Sequence, residues 1–255
     1  MIYAFSPEGV ACLDAMLLTD PLLAFDIDGT LAPIVARPDQ ARVPDEIQHC
    51  LGLLATRSEV AIITGRSVSD ARRMLAFEPR HLIGNHGAEG LPGGSGRSTS
   101  FALAVDAWRG TLQASAALAK AGVKIEDKTY SISLHYRGAA DPIAARRAIT
   151  RCLEKLSPKP RVIPGKAVFN VTPADAPDKG EALRTLIAHT RCATVLYVGD
   201  DDTDETIFGL NLPNVLSLRV EPSHGSSAAL YVRDQREVLK LVQHIVRTQS
   251  GTSPA

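Results

Sequence analysis

Two carboxylates stand two residues apart in Phe25-Asp26-Ile27-Asp28-Gly29-Thr30, directly after the apolar run Leu22-Leu23-Ala24-Phe25. In an extended segment, side chains i and i+2 face the same way, so Asp26 and Asp28 would project together. Like charges that close are unfavourable unless a cation sits between them, and all-oxygen donors suit a hard ion such as Mg2+. Asp-Gly is also a common turn dipeptide, so the segment taken alone reads as a surface turn too. A second acidic cluster, Gly199-Asp200-Asp201-Asp202-Thr203-Asp204-Glu205, follows the apolar run Val195-Leu196-Tyr197-Val198. Thr203 capping a helix with an acidic first turn would be ordinary compensation of the helix dipole. This density of carboxylates after a buried strand exceeds what a cap needs. It predicts a second metal-binding edge, with Asp200 nearest the strand end.

Donor and cationic groups balance these acids. Thr64-Gly65-Arg66 closes the run Val60-Ala61-Ile62-Ile63 and offers a hydroxyl and backbone N–H groups at a strand-to-helix turn, a ready anion site. Thr64 would serve equally as an N-cap. In Asp178-Lys179-Gly180-Glu181 the two acids have capping-box spacing, which leaves Lys179 to project. A lone lysine is usually solvated, whereas a phosphate held beside carboxylates needs a fixed cation.

The elements that must hold these residues follow from hydropathy. The runs 22–25, 60–63 and 195–198 are continuously apolar, as strands covered on both faces of a parallel sheet are. Further strands are expected at 215–218 and 230–232, and helices at 67–75 and 182–188. A last helix is expected from about 234, with Asp234 and Glu237 as a capping box. Ligands of open α/β sheets bind beyond the carboxyl ends of the strands, where each acidic or Thr-Gly-Arg turn falls. After the segment Gly84-Asn85-His86-Gly87 comes Leu91-Pro92-Gly93-Gly94-Ser95-Gly96, which reads as a linker. A helix over 102–121, alternating strands at 123–126 and 130–136, a helix over 142–156 and a strand pair around Pro164-Gly165-Lys166 then make a compact α+β unit. The expected fold is a doubly wound, mostly parallel α/β core, residues 1–100 and 174–255, with an α+β unit inserted at 101–173.

The order DxDGT, strand-TGR, Lys, GDDxTDE resembles the haloacid dehalogenase phosphatase superfamily, over motifs running from Asp26 to Glu205. Within it the chain is most similar to the trehalose-phosphatase family. That likeness rests on GDDxTDE, on Gly84-Asn85-His86-Gly87-Ala88-Glu89, and on Glu126-Asp127-Lys128 followed by His135-Tyr136-Arg137, and covers roughly residues 20–245. The resemblance implies Asp26 as nucleophile forming an aspartyl-phosphate, and Asp28 as proton shuttle. It implies that Thr64 and Lys179 hold the transferring phosphoryl group. Mg2+ would be bound by Asp26, the Asp28 carbonyl and Asp200, with Asp201 and Asp204 orienting them. Metal charge neutralisation and positioning are what phosphoryl transfer requires. Substrate contacts are implied at Asp26, Ile27, Asp28, Gly65, Arg66, Asn85, His86 and Gly87 in the core. In the inserted cap they are implied at Glu126, Lys128, His135, Arg137, Lys166 and Asn170.

The resemblance therefore implies hydrolysis of trehalose 6-phosphate. Asn170 stands where the family usually has a glutamate, so sucrose phosphate, glucosylglycerol phosphate and mannosyl-3-phosphoglycerate remain alternative substrates. A phosphomutase and a phosphosugar-binding protein without turnover are further readings. Read without the resemblance, Glu126, Lys128 and Arg137 would be charges on the outer face of a small sheet. His86 and His135 would be structural.

The 255 residues carry 28 basic and 28 acidic side chains, a balance that recommends neither nucleic acid nor an anionic membrane as partner. The partner expected is a small sugar phosphate, and both a monomer and a dimer are compatible with the sequence. Four scattered cysteines without a CxxC pair, no long apolar run and no basic leader predict a soluble, cytoplasmic protein.

Overall fold

A computed structural model describes residues 1–35, 37–165 and 167–250; Lys166, expected among the substrate contacts, lies outside the described residues. Two compact units emerge, Met1–Pro92 together with the described chain from Asp178 onward, and Gly93–Pro177.

The first unit contains β1 (Ile2–Tyr3), α1 (Pro7–Leu17), β2 (Leu22–Phe25), α2 (Asp45–Ala55), β3 (Val60–Ile63), α3 (Val68–Met74) and β4 (His81–Ile83). The second contains α4 (Ser95–Gln113), α5 (Ala116–Lys120), β5 (Lys124–Asp127), β6 (Ile132–His135), α6 (Pro142–Leu153), β7 (Pro160–Gly165) and β8 (Val168–Pro173). The chain then returns to the first with α7 (Lys179–His189), β9 (Val195–Gly199), α8 (Glu205–Phe208), β10 (Val215–Val220), β11 (Leu230–Val232) and α9 (Glu237–Gln249).

The sheet of the first unit runs β1-β11-β10-β9-β2-β3-β4 with every pairing parallel. Alternate residues of each central strand enter opposite layers. Leu23, Phe25, Val60, Ile62, Leu196 and Val198 pack with Leu13, Leu51, Leu241 and Ile245 of α1, α2 and α9. Leu22, Ala24, Ala61, Ile63, Val195 and Tyr197 pack with Leu183 and Leu186 of α7 and Phe208 of α8. Cover on both faces explains why these strands are apolar without alternation. The strand order reverses at β2, between β3 and β9, so the carboxyl ends of these three strands border one crevice.

In the second unit β5-β6-β8-β7 form an antiparallel sheet. Ile132, Leu134 and Val171 pack beneath Val105, Trp108 and Leu112 of α4 and Ala145 and Ile149 of α6. The opposite row, Glu126–Ser133–Asn170 by register, carries polar groups.

Several boundaries differ from expectation. α4 starts at Ser95 rather than 102, so part of the glycine stretch read as a linker is helical, and Ser115 caps a separate α5. α9 starts at Glu237 rather than 234: the Asp234 carboxylate accepts from Arg236 N, and Glu237 turns to Arg233 N and Tyr3 Oη. No capping box forms there, whereas Asp178 and Glu181 make the reciprocal pair expected of them.

Candidate active site

Asp26 leaves the end of β2 and is buried, its N–H donating to Val198 O at 2.9 Å. The next residues fold back on themselves: Thr30 N and Ala32 N both donate to Ile27 O. Gly29 makes this return possible. Its φ is +85°, and a Cβ there would lie 2.1 Å from Asp200 Oδ2, so the absent side chain is the space Asp200 occupies. One carboxylate oxygen from each of Asp26, Asp200 and Asp204 lies within 4.8 Å of the other two.

Lys179, at the first position of α7, is likewise buried. Its Nζ lies 2.8 Å from Asp204 Oδ1 and 3.2 Å from Asp26 Oδ1. Asp204 is saturated: Oδ1 accepts from Lys179 Nζ and Tyr197 Oη, and Oδ2 accepts the N–H groups of Asp200 and Asp201 at 2.9 Å each. A carboxylate with four donors positions its neighbours and has little left for a cation. Asp26 Oδ1 is the contrary case, buried with no directed hydrogen bond. Burial raises the Asp26 carboxyl well above its ordinary value; Lys179 opposes this, and Asp204, Asp200 and Asp28 add to it. Burial would depress the Lys179 ammonium, but Asp204 and Asp26 outweigh it and raise its pKa above the ordinary value. One ammonium faces several carboxylates, so the site has the hard oxygen donors and the negative charge that suit a divalent cation.

Asp28 is half-exposed and engaged sideways. Arg66 Nε and Nη2 grip its two oxygens at 2.6 and 2.7 Å, while Arg66 Nη1 holds Asp70 at 2.7 Å. Arg66, expected as a substrate contact, thus directs its guanidinium at carboxylates of the chain itself. Thr64 is buried and caps no helix, since α3 is capped by Ser67; its Oγ1 instead accepts the Arg66 N–H at 3.3 Å. Thr203 caps nothing either, because Asp204 takes that position in α8. The register Phe25↔Ile62 sets Thr64 beside the Asp26 turn. The 85–87 loop is knitted to this corner through Asn85 N to Arg66 O at 2.7 Å and His86 N to Thr64 O at 3.0 Å. Asn85 and His86 are both left-handed, with φ +51° and +57°, and the His86 ring covers Gly65 so closely that a Cβ would meet Cε1 at 2.4 Å. Asp201 is partly buried, its carbonyl accepting from Arg219.

In the second unit His135 Nε2 and Glu126 Oε2 are 2.7 Å apart, with Lys128 Nζ 3.9 Å from that oxygen. Asn170 is buried and accepts from Ser133 Oγ at 2.6 Å, while Arg137 is exposed. Sequence reasoning missed Tyr197, Ser133, Arg219 and Glu89, the last binding Asn85 Nδ2 and Val68 N at 2.8 Å each. Only Glu89, inside the quoted 84–89 segment, carried a signal that could have found it.

The family model described as trehalose-phosphatase matches residues 24–236. An uncharacterized glycosyl hydrolase of Mycobacterium tuberculosis is 35% identical over 205 residues, 74% of this chain and 15% of that protein. A trehalose-phosphate phosphatase of Mycobacterium marinum is 33% identical over 232 residues, 86% of this chain and 59% of that protein. The chain therefore spans less than two thirds of either relative. A crystal structure of a trehalose-6-phosphate phosphatase related protein superposes with TM-score 0.76 at 24% identity, over 91% of this chain and 100% of that one. The C-terminal domain of the Candida albicans trehalose-6-phosphate phosphatase gives 0.72 at 24% identity, over 92% and 96%. At that identity the two structures establish the fold, a doubly wound parallel α/β sheet with a separate antiparallel sheet. With the family model spanning both acidic turns, Thr64 and Lys179, the chain belongs to the trehalose-phosphatase family.

Proposed function

We propose that this chain is a Mg2+-dependent phosphatase that hydrolyses trehalose 6-phosphate to trehalose and phosphate. The observation that carries the reading is the buried Lys179 bridging Asp26 and Asp204, with the Asp200 carboxylate filling the space over Gly29. In the reaction an Asp26 carboxylate oxygen attacks phosphorus, the bond from phosphorus to the sugar oxygen breaks, and Asp28 delivers a proton to the departing oxygen. Water then attacks the aspartyl-phosphate, giving its proton to Asp28, and phosphate leaves with Asp26 restored. Thr64 Oγ1 and Lys179 Nζ would hold the phosphoryl oxygens, and Arg66 would fix the direction in which the Asp28 carboxylate faces. Asp26, the Asp28 carbonyl and Asp200 would hold Mg2+, which supplies charge neutralisation at the transferring group. Asp204 and Asp201 would position these groups.

The unit Gly93–Pro177 would act as a cap that reads the sugar. Glu126, His135, Lys128 and Asn170 supply hydrogen-bonding groups on the face its own helices leave uncovered, with Arg137 nearby in sequence. Asn170 offers no carboxylate, and this favours the second reading, another sugar phosphate as the preferred substrate. A cytoplasmic site of action fits the four free cysteines, and no helix among the described residues is long and apolar enough to cross a membrane.

A phosphate-release panel over trehalose 6-phosphate, sucrose phosphate, glucosylglycerol phosphate and mannosyl-3-phosphoglycerate, each with Mg2+ and with EDTA, tests this. Trehalose 6-phosphate should have the highest kcat/KM, EDTA should bring release to background, and Asp26→Asn should lose roughly a thousandfold or more with the fold retained. A different preferred sugar would overturn the substrate, and residual turnover in Asp26→Asn would overturn the covalent route.

A further inference from the structure

Tyr197 belongs to no step of the reaction above. It lies in β9 two residues before Gly199, fully buried, with its ring beside Phe208 at 6.0 Å between centroids. A phenol in such a layer must satisfy its hydroxyl, and a backbone carbonyl would suffice for that. Here the hydroxyl goes instead to Asp204 Oδ1, at 2.5 Å. Lys179 Nζ donates to the same oxygen, and the N–H groups of Asp200 and Asp201 donate to Oδ2.

Two donors on each oxygen fix both torsions of the Asp204 side chain. Through Oδ1 the carboxylate sets where Lys179 stands relative to Asp26, and through Oδ2 it sets the backbone that carries Asp200 to Gly29. Without the phenol, Lys179 would be the one donor left on Oδ1, and the carboxylate could swing toward the ammonium at the expense of the two backbone bonds. Burial and the carboxylates of Asp204, Asp26 and Asp200 raise the phenol well above its ordinary pKa, so it stays protonated and donates.

We infer that Tyr197 is a positioning residue of the reaction centre, acting through Asp204 on the Lys179 ammonium and on the backbone of Asp200. The inference rests on the phosphoryl-transfer reading but is independent of which sugar phosphate is preferred.

Tyr197→Phe removes one oxygen and keeps the ring. Its kcat should fall roughly tenfold with KM changed less than about twofold. The Mg2+ concentration that half-maximally raises the Tm of the substrate-free protein should increase about threefold or more, because Asp200 is less well held. Phe208→Leu, which trims the same layer without touching the hydroxyl, should lower Tm while leaving kcat and the Mg2+ midpoint unchanged. The Mg2+ midpoint needs no substrate, so it decides the role of Tyr197 even if the phosphatase reading fails in the substrate panel. Wild-type kcat and a wild-type Mg2+ midpoint in Tyr197→Phe overturn the inference, whatever its Tm. So does Phe208→Leu reproducing both changes, which would make the effect one of packing.

Discussion

At Gly29 the left-handed backbone and the close approach of Asp200 meet in one residue. Gly29→Ala would put a Cβ where φ is +85°, costing about 1–2 kcal/mol of stability, and would push the Asp200 carboxylate out of its place. The expected result is a lowered Tm, loss of most Mg2+-induced stabilisation, and turnover reduced roughly tenfold or more. Thermal shift with and without Mg2+ checks it, and a wild-type Mg2+ response would show that Asp200 does not depend on this glycine. Asp26 and Asp200 were legible because their charge is unexpected directly after a buried strand, whereas Lys179 alone read as solvated and stood out only through the need for a cation beside the acidic turns. Tyr197 and Ser133 were not legible, since each reads as an ordinary strand residue and only tertiary neighbours reveal its bond to Asp204 or Asn170. For Thr64 the sequence left an N-cap open, and the cap taken by Ser67 closes that reading.

Among the elements, the apolar strands β2, β3 and β9 stand within a residue of where hydropathy puts them, because cover on both faces leaves one signal per strand. β1 was not legible: two residues carry no period, and its pairing with β11 through Ile2↔Leu230 is a long-range choice. The acidic turn between β9 and α8 depends on a similarly hidden partner. Arg219 of β10 donates to Asp201 O at 3.3 Å and to Glu205 at 2.8 Å, while Glu205 also accepts Ser227 N. This clamp ties the turn to the neighbouring strand and accounts for Glu205, which the proposed reaction does not use. Arg219→Met leaves a half-shielded Glu205 without its cation and frees the Asp201 carbonyl. The expected cost is about 2–4 kcal/mol by urea denaturation, with a raised Mg2+ midpoint because Asp200 is adjacent. A stability loss with an unchanged Mg2+ midpoint would confine the clamp to the fold.

Taken whole, the chain departs and returns once between Pro92 and Asp178, and the intervening segment has what a folding unit needs. Trp108, Leu112, Ile132, Leu134, Ile149 and Val171 form a core with no member from the other unit, and Trp108 Nε1 is satisfied by Pro158 O at 2.7 Å. The contacts are largely local or antiparallel, which keeps loop-closure entropy low. The first unit is the opposite case, since Leu22↔Val195 and Phe25↔Val198 pair strands from the two ends of the chain. A protein made of residues 93–177 should therefore fold alone, with dispersed amide signals and one cooperative thermal transition. The row of Glu126, Ser133 and Asn170 on the face opposite the helices is polar, so it adds no apolar surface to such a fragment. The sequence announced this unit through alternating strands between two helices, but not its first edge, because glycines that usually punctuate a chain run directly into α4. A fragment lacking a cooperative transition would mean that its core needs the rest of the chain, and that the insertion is an extension of the first unit.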